Sequence, residues 1–251
     1  MTIHIRQPLP SPGIETLIDD ALFAAPTGAS YDRLAKRILD ITIVMLGALP
    51  VLLVTMVLAA IIALDGKSPF YLQKRVGRNG RVFYMYKLRS MVVDADSRLE
   101  AYLASNPEAR AEWNHAQKLR RDPRITAVGR LIRKTSLDEL PQLFNILVGN
   151  MSFVGPRPPL RLYVEDFPHT YARVLRNRPG VTGLASLHFH EHEARLLASC
   201  QTAKETDRVY RRRCIPRKAR LDLIYQKHRN ICFDLLILFK TLASVLRKRG
   251  K

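Results

Sequence analysis

Hydrophobic and polar positions fall into three regimes along the chain. The first thirty residues show little periodicity and carry Pro8, Pro10, Pro12, Gly13 and Pro26, which predicts a mostly flexible leader with a short helix near residues 14–24. Residues 31–40 (YDRLAKRILD) read as helix and feed a run from Ile41 to Leu64 that is relieved only by Thr42, Gly47, Pro50 and Thr55. Beyond it the pattern breaks into shorter units. Phe70–Val76 and Arg81–Leu88 read as strands around Gly77-Arg78-Asn79-Gly80, since Asn-Gly is a strong hairpin signal. Residues 92–119 read as polar helix broken at Pro107, residues 126–133 as a short amphipathic stretch, and residues 137–148 as an apolar row around a polar face. Met151–Pro159 and Arg178–Gly183 read as Gly/Pro loops. Residues Leu221–Lys248 read as one long amphipathic helix, whose apolar stripe and basic face suit the headgroup zone of a membrane and equally suit packing on a soluble core.

The Ile41–Leu64 run is 24 residues long, above the roughly 18–20 needed to cross a hydrocarbon core. A soluble helix so apolar on every side is rare. The run starts too late, is too long and lacks a following small-residue cleavage site, which argues against a signal peptide. Pro50 splits it into arms of 9 and 14 residues. At 1.5 Å per residue these reach about 13 Å and 21 Å, and neither alone spans about 30 Å. Proline also removes a helical N–H and clashes with the preceding turn, so a kink is expected there. Both flanks are basic, Arg33, Lys36 and Arg37 before and Lys67, Lys74, Arg75, Arg78 and Arg81 after, without the asymmetry of a spanning helix. These features leave a kinked single span and a re-entrant hairpin, with both ends on the cytosolic side, equally open.

Charge sharpens this division. The 251-residue chain has a formal net charge of +19, yet residues 1–40 hold 4 basic and 5 acidic residues and residues 41–64 hold none. The excess lies beyond residue 65, in a basic body that calls for anionic partners: nucleic acid, anionic lipid or phosphorylated substrates. A hydrophobic content of 47% excludes a disordered chain. Cys200, Cys214 and Cys232 are too scattered for a disulfide scaffold or a paired-cysteine zinc site and fit a reducing compartment.

Three clusters could carry chemistry. Asp138 and Glu139 sit at an expected helix start beside Arg133 and Lys134; Ser136 and Glu139 also have capping-box spacing, which would make both acids structural. The functional alternative is that helix N–H groups and nearby cations keep Asp138 ionised and attract phosphate, so that the carboxylate serves as a nucleophile at phosphorus. Two adjacent acids could also share one divalent cation. In the loop Met151–Pro159, prolines stiffen the backbone around Arg157, a natural bidentate phosphate ligand or else a solvated turn residue. Lys87, Arg89 and Ser90 form a third cluster at the end of the second strand. His188, His190 and His192 alternate and would share one face of a strand, which invites a zinc site, although loop histidines are common in basic proteins. The run Arg211-Arg212-Arg213 with Arg217-Lys218 lacks the interleaved aromatics that nucleic-acid binding wants.

Taken together, Lys74–Gly80, Tyr86–Met91, Thr135–Leu143, Asn145–Pro158 and Arg178–Leu184 resemble the bacterial sugar transferase family, the monotopic polyprenyl-phosphate phosphoglycosyl transferases. The resemblance covers roughly residues 31–249, with several motifs in the right order. It implies an α+β fold that is mostly helical and membrane-associated. A leader (1–30) would precede a re-entrant membrane helix-hairpin (31–66) bent at Pro50. A cytosolic catalytic domain (67–251) would follow, with a small β-hairpin and amphipathic interfacial helices. It further implies transfer of a hexose-1-phosphate from a UDP-sugar to polyprenol (undecaprenyl) phosphate, with release of UMP, as the first membrane step of exopolysaccharide, capsule, O-antigen or related glycan synthesis. The family's acid pair falls on Asp138, as nucleophile of an aspartyl phosphosugar intermediate, and on Glu139, which would help position or deprotonate the acceptor; both would hold Mg²⁺. Its phosphate ligands fall on Lys87, Arg133 and Arg157. The implied location is the bacterial inner membrane with the catalytic domain facing the cytoplasm, among membrane lipids and without nucleic acid; a homodimer is compatible. Leu49 stands before Pro50 where the family often has a polar residue, Ser186 stands where it often has Gln, and residues 185–215 diverge, which leaves the sugar and the pathway open. The rival reading is a non-catalytic, membrane-tethered basic protein that binds nucleic acid or anionic lipid.

Overall fold

The computed structural model describes residues 33–117 and 119–249; the leader and its expected short helix lie outside the described residues. The apolar run forms helix α1 (Arg33–Ile62), which contains Pro50 and tightens into a 3-10 turn at Ala63–Asp65 before Gly66, at φ 75°, terminates it. Among the described residues it is the one helix long and apolar enough to cross a membrane. Its middle turns Met45, Leu46, Leu49, Leu53, Met56 and Val57 outward.

Strands β1 (Phe70–Val76) and β2 (Val82–Leu88) form the expected antiparallel hairpin, with Val76 opposite Val82 and Phe70 opposite Leu88. Asn79 (φ 57°) and Gly80 (φ 77°) supply the left-handed turn. The polar stretch becomes α2 (Ala95–Ser105) and α3 (Pro107–Ala116). Asn106 separates them by accepting the Ala109 N–H at 3.0 Å, with Pro107 in the first turn, where its missing N–H costs nothing. Thr126 caps α4 (Ala127–Lys134) through the Gly129 N–H at 2.9 Å. The expected helix over 137–148 is divided: a 3-10 turn at Leu137–Glu139 precedes α5 (Gln142–Leu147), which starts after Pro141.

Both Gly/Pro loops contain a strand that the pattern hid. β3 (Ser152–Val154) and β4 (Gly180–Thr182) pair in parallel. A Cβ on Gly155 would stand 2.5 Å from the Arg178 carbonyl oxygen, so glycine is what lets the two segments meet. Helices α6 (Arg161–Asp166) and α7 (Pro168–Val174) bridge them. After β4 come α8 (Leu184–Ala198), α9 (Ala203–Val209), a π turn at Tyr210–Cys214, α10 (Ile215–His228) and α11 (Ile231–Arg249). The single long C-terminal helix is thus two: Arg229-Asn230 interrupts it, and Asn230 Oδ1 accepts the Phe233 N–H at 2.8 Å to start the second. Helix α11 turns Asp234 and Ile237 inward and Ile231, Leu235, Phe239 and Leu242 outward, so it packs on the domain and also shows an apolar stripe.

The core gathers around β2. Phe83 and Met85 join Val44 of α1, Ile146 of α5 and Met151; Leu88 joins Ile62 and Ile132. Asn145, fully buried, extends the sheet with its side chain: Nδ2 donates to the Tyr84 carbonyl at 2.7 Å and Oδ1 accepts the Tyr86 N–H at 3.0 Å. Both ends of α1 are held by this body. At the first, Lys36 Nζ lies 2.6 Å from Asp234 Oδ2, Asp40 Oδ1 accepts from the Ser152 hydroxyl at 2.9 Å, and Arg37 donates to the Ile146 and Leu147 carbonyls at the end of α5. At the second, Arg89 Nη2 donates to the Ile62 carbonyl at 3.2 Å and to Asp65 Oδ1 at 2.7 Å.

Candidate active site

The acid pair owes its position to three local features. Helix α4 is pressed onto the end of the hairpin: a Cβ on Gly129 would stand 1.9 Å from the Ser90 carbonyl oxygen. One turn later Arg133 Nε donates to Ser90 Oγ at 2.7 Å. The chain then reverses at Ser136, whose φ of 57° is left-handed; such a conformation costs a residue with a Cβ roughly 1–2 kcal/mol and recurs at functional sites. Finally Leu137 packs against Ile62, Leu88 and Ile132, which seats the Leu137–Glu139 turn against the last turns of α1.

The capping box does not form. Ser136 makes no side-chain cap, and Glu139 faces Lys87 and Arg157 instead. Nor does either acid sit in the first turn of α5, a helix of 6 residues that begins only at Gln142. The electrostatics of the pair is therefore set by side chains rather than by a helix dipole. Lys87 Nζ lies 3.1 Å from Glu139 Oε1 and 3.9 Å from Asp138 Oδ2, and Arg157 Nη2 lies 3.4 Å from Glu139 Oε1. Asp138 and Glu139 keep 15% and 22% of their side-chain surface, so a ligand can reach both.

Their environments split the two acids. Burial pushes the Asp138 carboxyl above its ordinary value; the neighbouring Glu139 charge adds to this, while Lys87 and Arg133 oppose it. Burial also acts on Glu139, but Arg157 and Lys87 outweigh it and hold that carboxyl below its ordinary value. At Asp138, desolvation thus outweighs the surrounding cations.

The structure brings Lys87, Asp138, Glu139 and Arg157 into direct contact and sets Arg133 one layer away, on Ser90. It also adds Arg75, which the sequence reading passed over as a flanking charge. Its Nη1 donates to the Pro158 carbonyl at 3.2 Å, its Nε is buried without a hydrogen-bond partner, and burial together with the Arg157 charge lowers its pKa. The hairpin register carried the signal: Tyr71–Lys87 and Arg75–Phe83 are opposite pairs, which puts Arg75 and Lys87 on one face. Arg89, by contrast, serves the end of α1. The three histidines lie on helix α8, where alternate residues diverge, and no three metal-ligating side chains cluster among the described residues.

The two carboxylates suit Mg²⁺, which is commonly held by one or two carboxylates and completed by waters and substrate phosphates rather than by an all-protein cage. Asp138 and Glu139 supply that donor set, with Lys87 and Arg157 left to face anionic oxygens.

Comparison with known proteins gives the geometry its relatives. A family model described as bacterial sugar transferase matches residues 31–248. The chain is 39% identical over 222 residues to a UDP-galactose-lipid carrier transferase of Erwinia amylovora, covering 86% of this chain and 42% of that protein. It is 44% identical over 186 residues to an undecaprenyl-phosphate galactose phosphotransferase of Salmonella typhimurium, covering 74% of this chain and 35% of that protein. An exopolysaccharide production protein ExoY of Rhizobium meliloti is 38% identical over 221 residues, covering 86% and 88% of the two chains. The chain thus spans less than half the length of the first two relatives and most of the third. With the family model matched from the first turns of α1 into α11, the chain belongs to the bacterial sugar transferase family.

Proposed function

We propose that this protein transfers a hexose-1-phosphate from a UDP-sugar to a polyprenol phosphate, such as undecaprenyl phosphate, and so starts a glycan on the membrane. In the first half-reaction an Asp138 carboxylate oxygen attacks the sugar-bearing phosphorus, the bond from that phosphorus to the bridging oxygen breaks, and UMP leaves with the electron pair. In the second, a phosphate oxygen of the polyprenol phosphate attacks the same phosphorus and expels the Asp138 carboxylate, giving a polyprenyl diphosphate sugar. The raised pKa of Asp138 supports the nucleophile role, since a more basic carboxylate is the better nucleophile once ionised. Glu139, held anionic by two cations, orients the acceptor, while Lys87, Arg157 and Arg133 offset the repulsion between two phosphorylated substrates. Bound at the two carboxylates, Mg²⁺ would neutralise diphosphate charge.

The single observation that carries this reading is the seating of a partly buried but reachable acid–cation quartet around a turn packed against α1. An acceptor that lives in the bilayer needs its nucleophile there. Both ends of α1 meet one body, which supports a re-entrant anchor with residues 67–249 on the cytoplasmic side. A bend at Pro50 would let both ends dock on that body. The outward stripe of α11 suits the same interface.

The test is UMP release from a panel of UDP-sugars by detergent-solubilised protein with polyprenol phosphate and Mg²⁺. Asp138→Asn should abolish turnover and the covalent phosphosugar adduct seen by intact mass. Full turnover in that variant removes the covalent mechanism; no UMP release with any UDP-sugar favours the non-catalytic tether.

A further inference from the structure

The turn end of the β1–β2 hairpin opens on a pocket that the proposed chemistry does not use. It is lined by Lys36, Asp40, Arg78, Arg176, Arg178 and Arg229, five cations against one acid. Roughly 17 Å of strand, from Val82 to Lys87, separates the hairpin turn from the acid pair. The floor is fixed rather than solvated. Lys36 Nζ is 2.6 Å from Asp234 Oδ2, and Asp234 Oδ1 accepts from the Tyr225 hydroxyl at 2.6 Å. Asp40 accepts from Ser152 and the Phe153 N–H through Oδ1, while its Oδ2 is buried and receives no hydrogen bond. At the rim, Arg229 donates to Asn177 Oδ1 at 2.7 Å and Arg178 Nε to the Gly149 carbonyl at 2.8 Å. Arg78 and Arg176 form no ion pair with any acid among the described residues.

Position and chemistry agree on a ligand. Lys36 lies in the first turns of α1, and Arg229 immediately precedes α11. These are the two helices whose outward faces, Leu34 and Ile38 on one and Ile231 and Leu235 on the other, are apolar and exposed. On the membrane placement proposed above, a pocket beside their first turns would open at the level of lipid headgroups. Guanidinium groups bind phosphate oxygens in pairs. Asp40, 1% exposed, lies beneath these cations and does not face a ligand. We infer that this pocket is a second, non-catalytic phosphate site, taking the headgroup of an anionic glycerol phospholipid or free phosphate.

The experiment titrates the full chain in detergent with short-chain phosphatidylglycerol, short-chain phosphatidylcholine and inorganic phosphate by calorimetry, using wild type, R157Q and the double variant R78Q/R176Q. Saturable phosphatidylglycerol binding should survive R157Q, which separates it from the acid-pair site. It should weaken about tenfold in R78Q/R176Q, the loss of roughly one charge-assisted hydrogen bond, at an unchanged thermal midpoint. Phosphatidylglycerol binding well above inorganic phosphate assigns the lipid as source; equal affinity with the same arginine dependence assigns free phosphate. Equal binding of phosphatidylcholine, no binding of either phosphate ligand, or no loss in R78Q/R176Q overturns the inference.

Discussion

Lys87 is the cation shared by both acids, and replacing it with methionine isolates what that charge does. The ammonium lies 3.1 Å from Glu139 and 3.9 Å from Asp138, with the three side chains keeping between 15% and 22% of their surface. At an effective dielectric of about 20, unit charges at these separations attract by about 4–5 kcal/mol before desolvation. The net worth of a hydrogen bond to a charged group is smaller, about 1.5–3 kcal/mol. Lys87→Met should therefore lower kcat/KM for UMP release by about ten- to a hundredfold. The pH profile carries the sharper signature. Lys87 pulls the pKa of both acids down, so without it both rise, and Asp138 rises from a value that burial has already lifted. The ionised acids are the working forms. The acidic limb of the profile should then move to higher pH, and activity at low pH should suffer more than activity at high pH. Methionine keeps the unbranched stem, so the thermal midpoint should stay near that of the wild type. An acidic limb that stays in place would refute the assignment of Lys87 as the group that sets the charge state of the pair.

Other perturbations address the scaffold. Asn145→Leu removes a buried amide that satisfies two strand groups, and the orphaned Tyr84 carbonyl and Tyr86 N–H should cost about 2–4 kcal/mol, read as a fall in thermal midpoint; an unchanged midpoint would show that water replaces it. Gly129→Ala drives a methyl into the Ser90 carbonyl, so it should destabilise by about 1–3 kcal/mol and also lower activity by moving Arg133, which binds the adjacent hydroxyl. Asp222, buried in α10, is pushed up to about 8 from an ordinary value of 3.8. Its folded pKa exceeds the unfolded one, so it costs no stability below pH 4 and an increasing amount as pH rises toward 8. Asp222→Asn should raise the thermal midpoint at pH 8 and progressively less toward pH 4, and a pH-independent gain would contradict this.

The elements that could be read along the chain were those in which local chemistry and packing agree. The Asn79-Gly80 turn, the Asn106-Pro107 break and the apolar run up to Leu64 each carry their own signal, and each appears where it was expected. The acid pair was legible as a pair but not in its setting. Capping-box spacing at Ser136 and Glu139 is a local cue, and it lost to long-range partners, Lys87 on a strand 52 positions earlier and Arg157 on a loop 18 positions later. β3 and β4 escaped notice because each has only three residues amid Gly and Pro, and their pairing depends on backbones that touch across 28 positions of sequence. The histidines misled through periodicity: alternation means one face only on a strand, and tertiary context made that segment a helix. Arg75 was visible only once the register of the hairpin was known.

The grip on both ends of α1 has a consequence for anyone preparing this protein. Val44 fills the same cluster as Phe83 and Met151, and Lys36 neutralises an aspartate that water never reaches. A fragment cut to begin at residue 67 would therefore be holed as well as unanchored, and Asp234 would lose its Lys36 ammonium. A water-soluble version calls for resurfacing instead: polar replacements confined to the outward positions between Met45 and Val57, with the docked turns on either side left as they are.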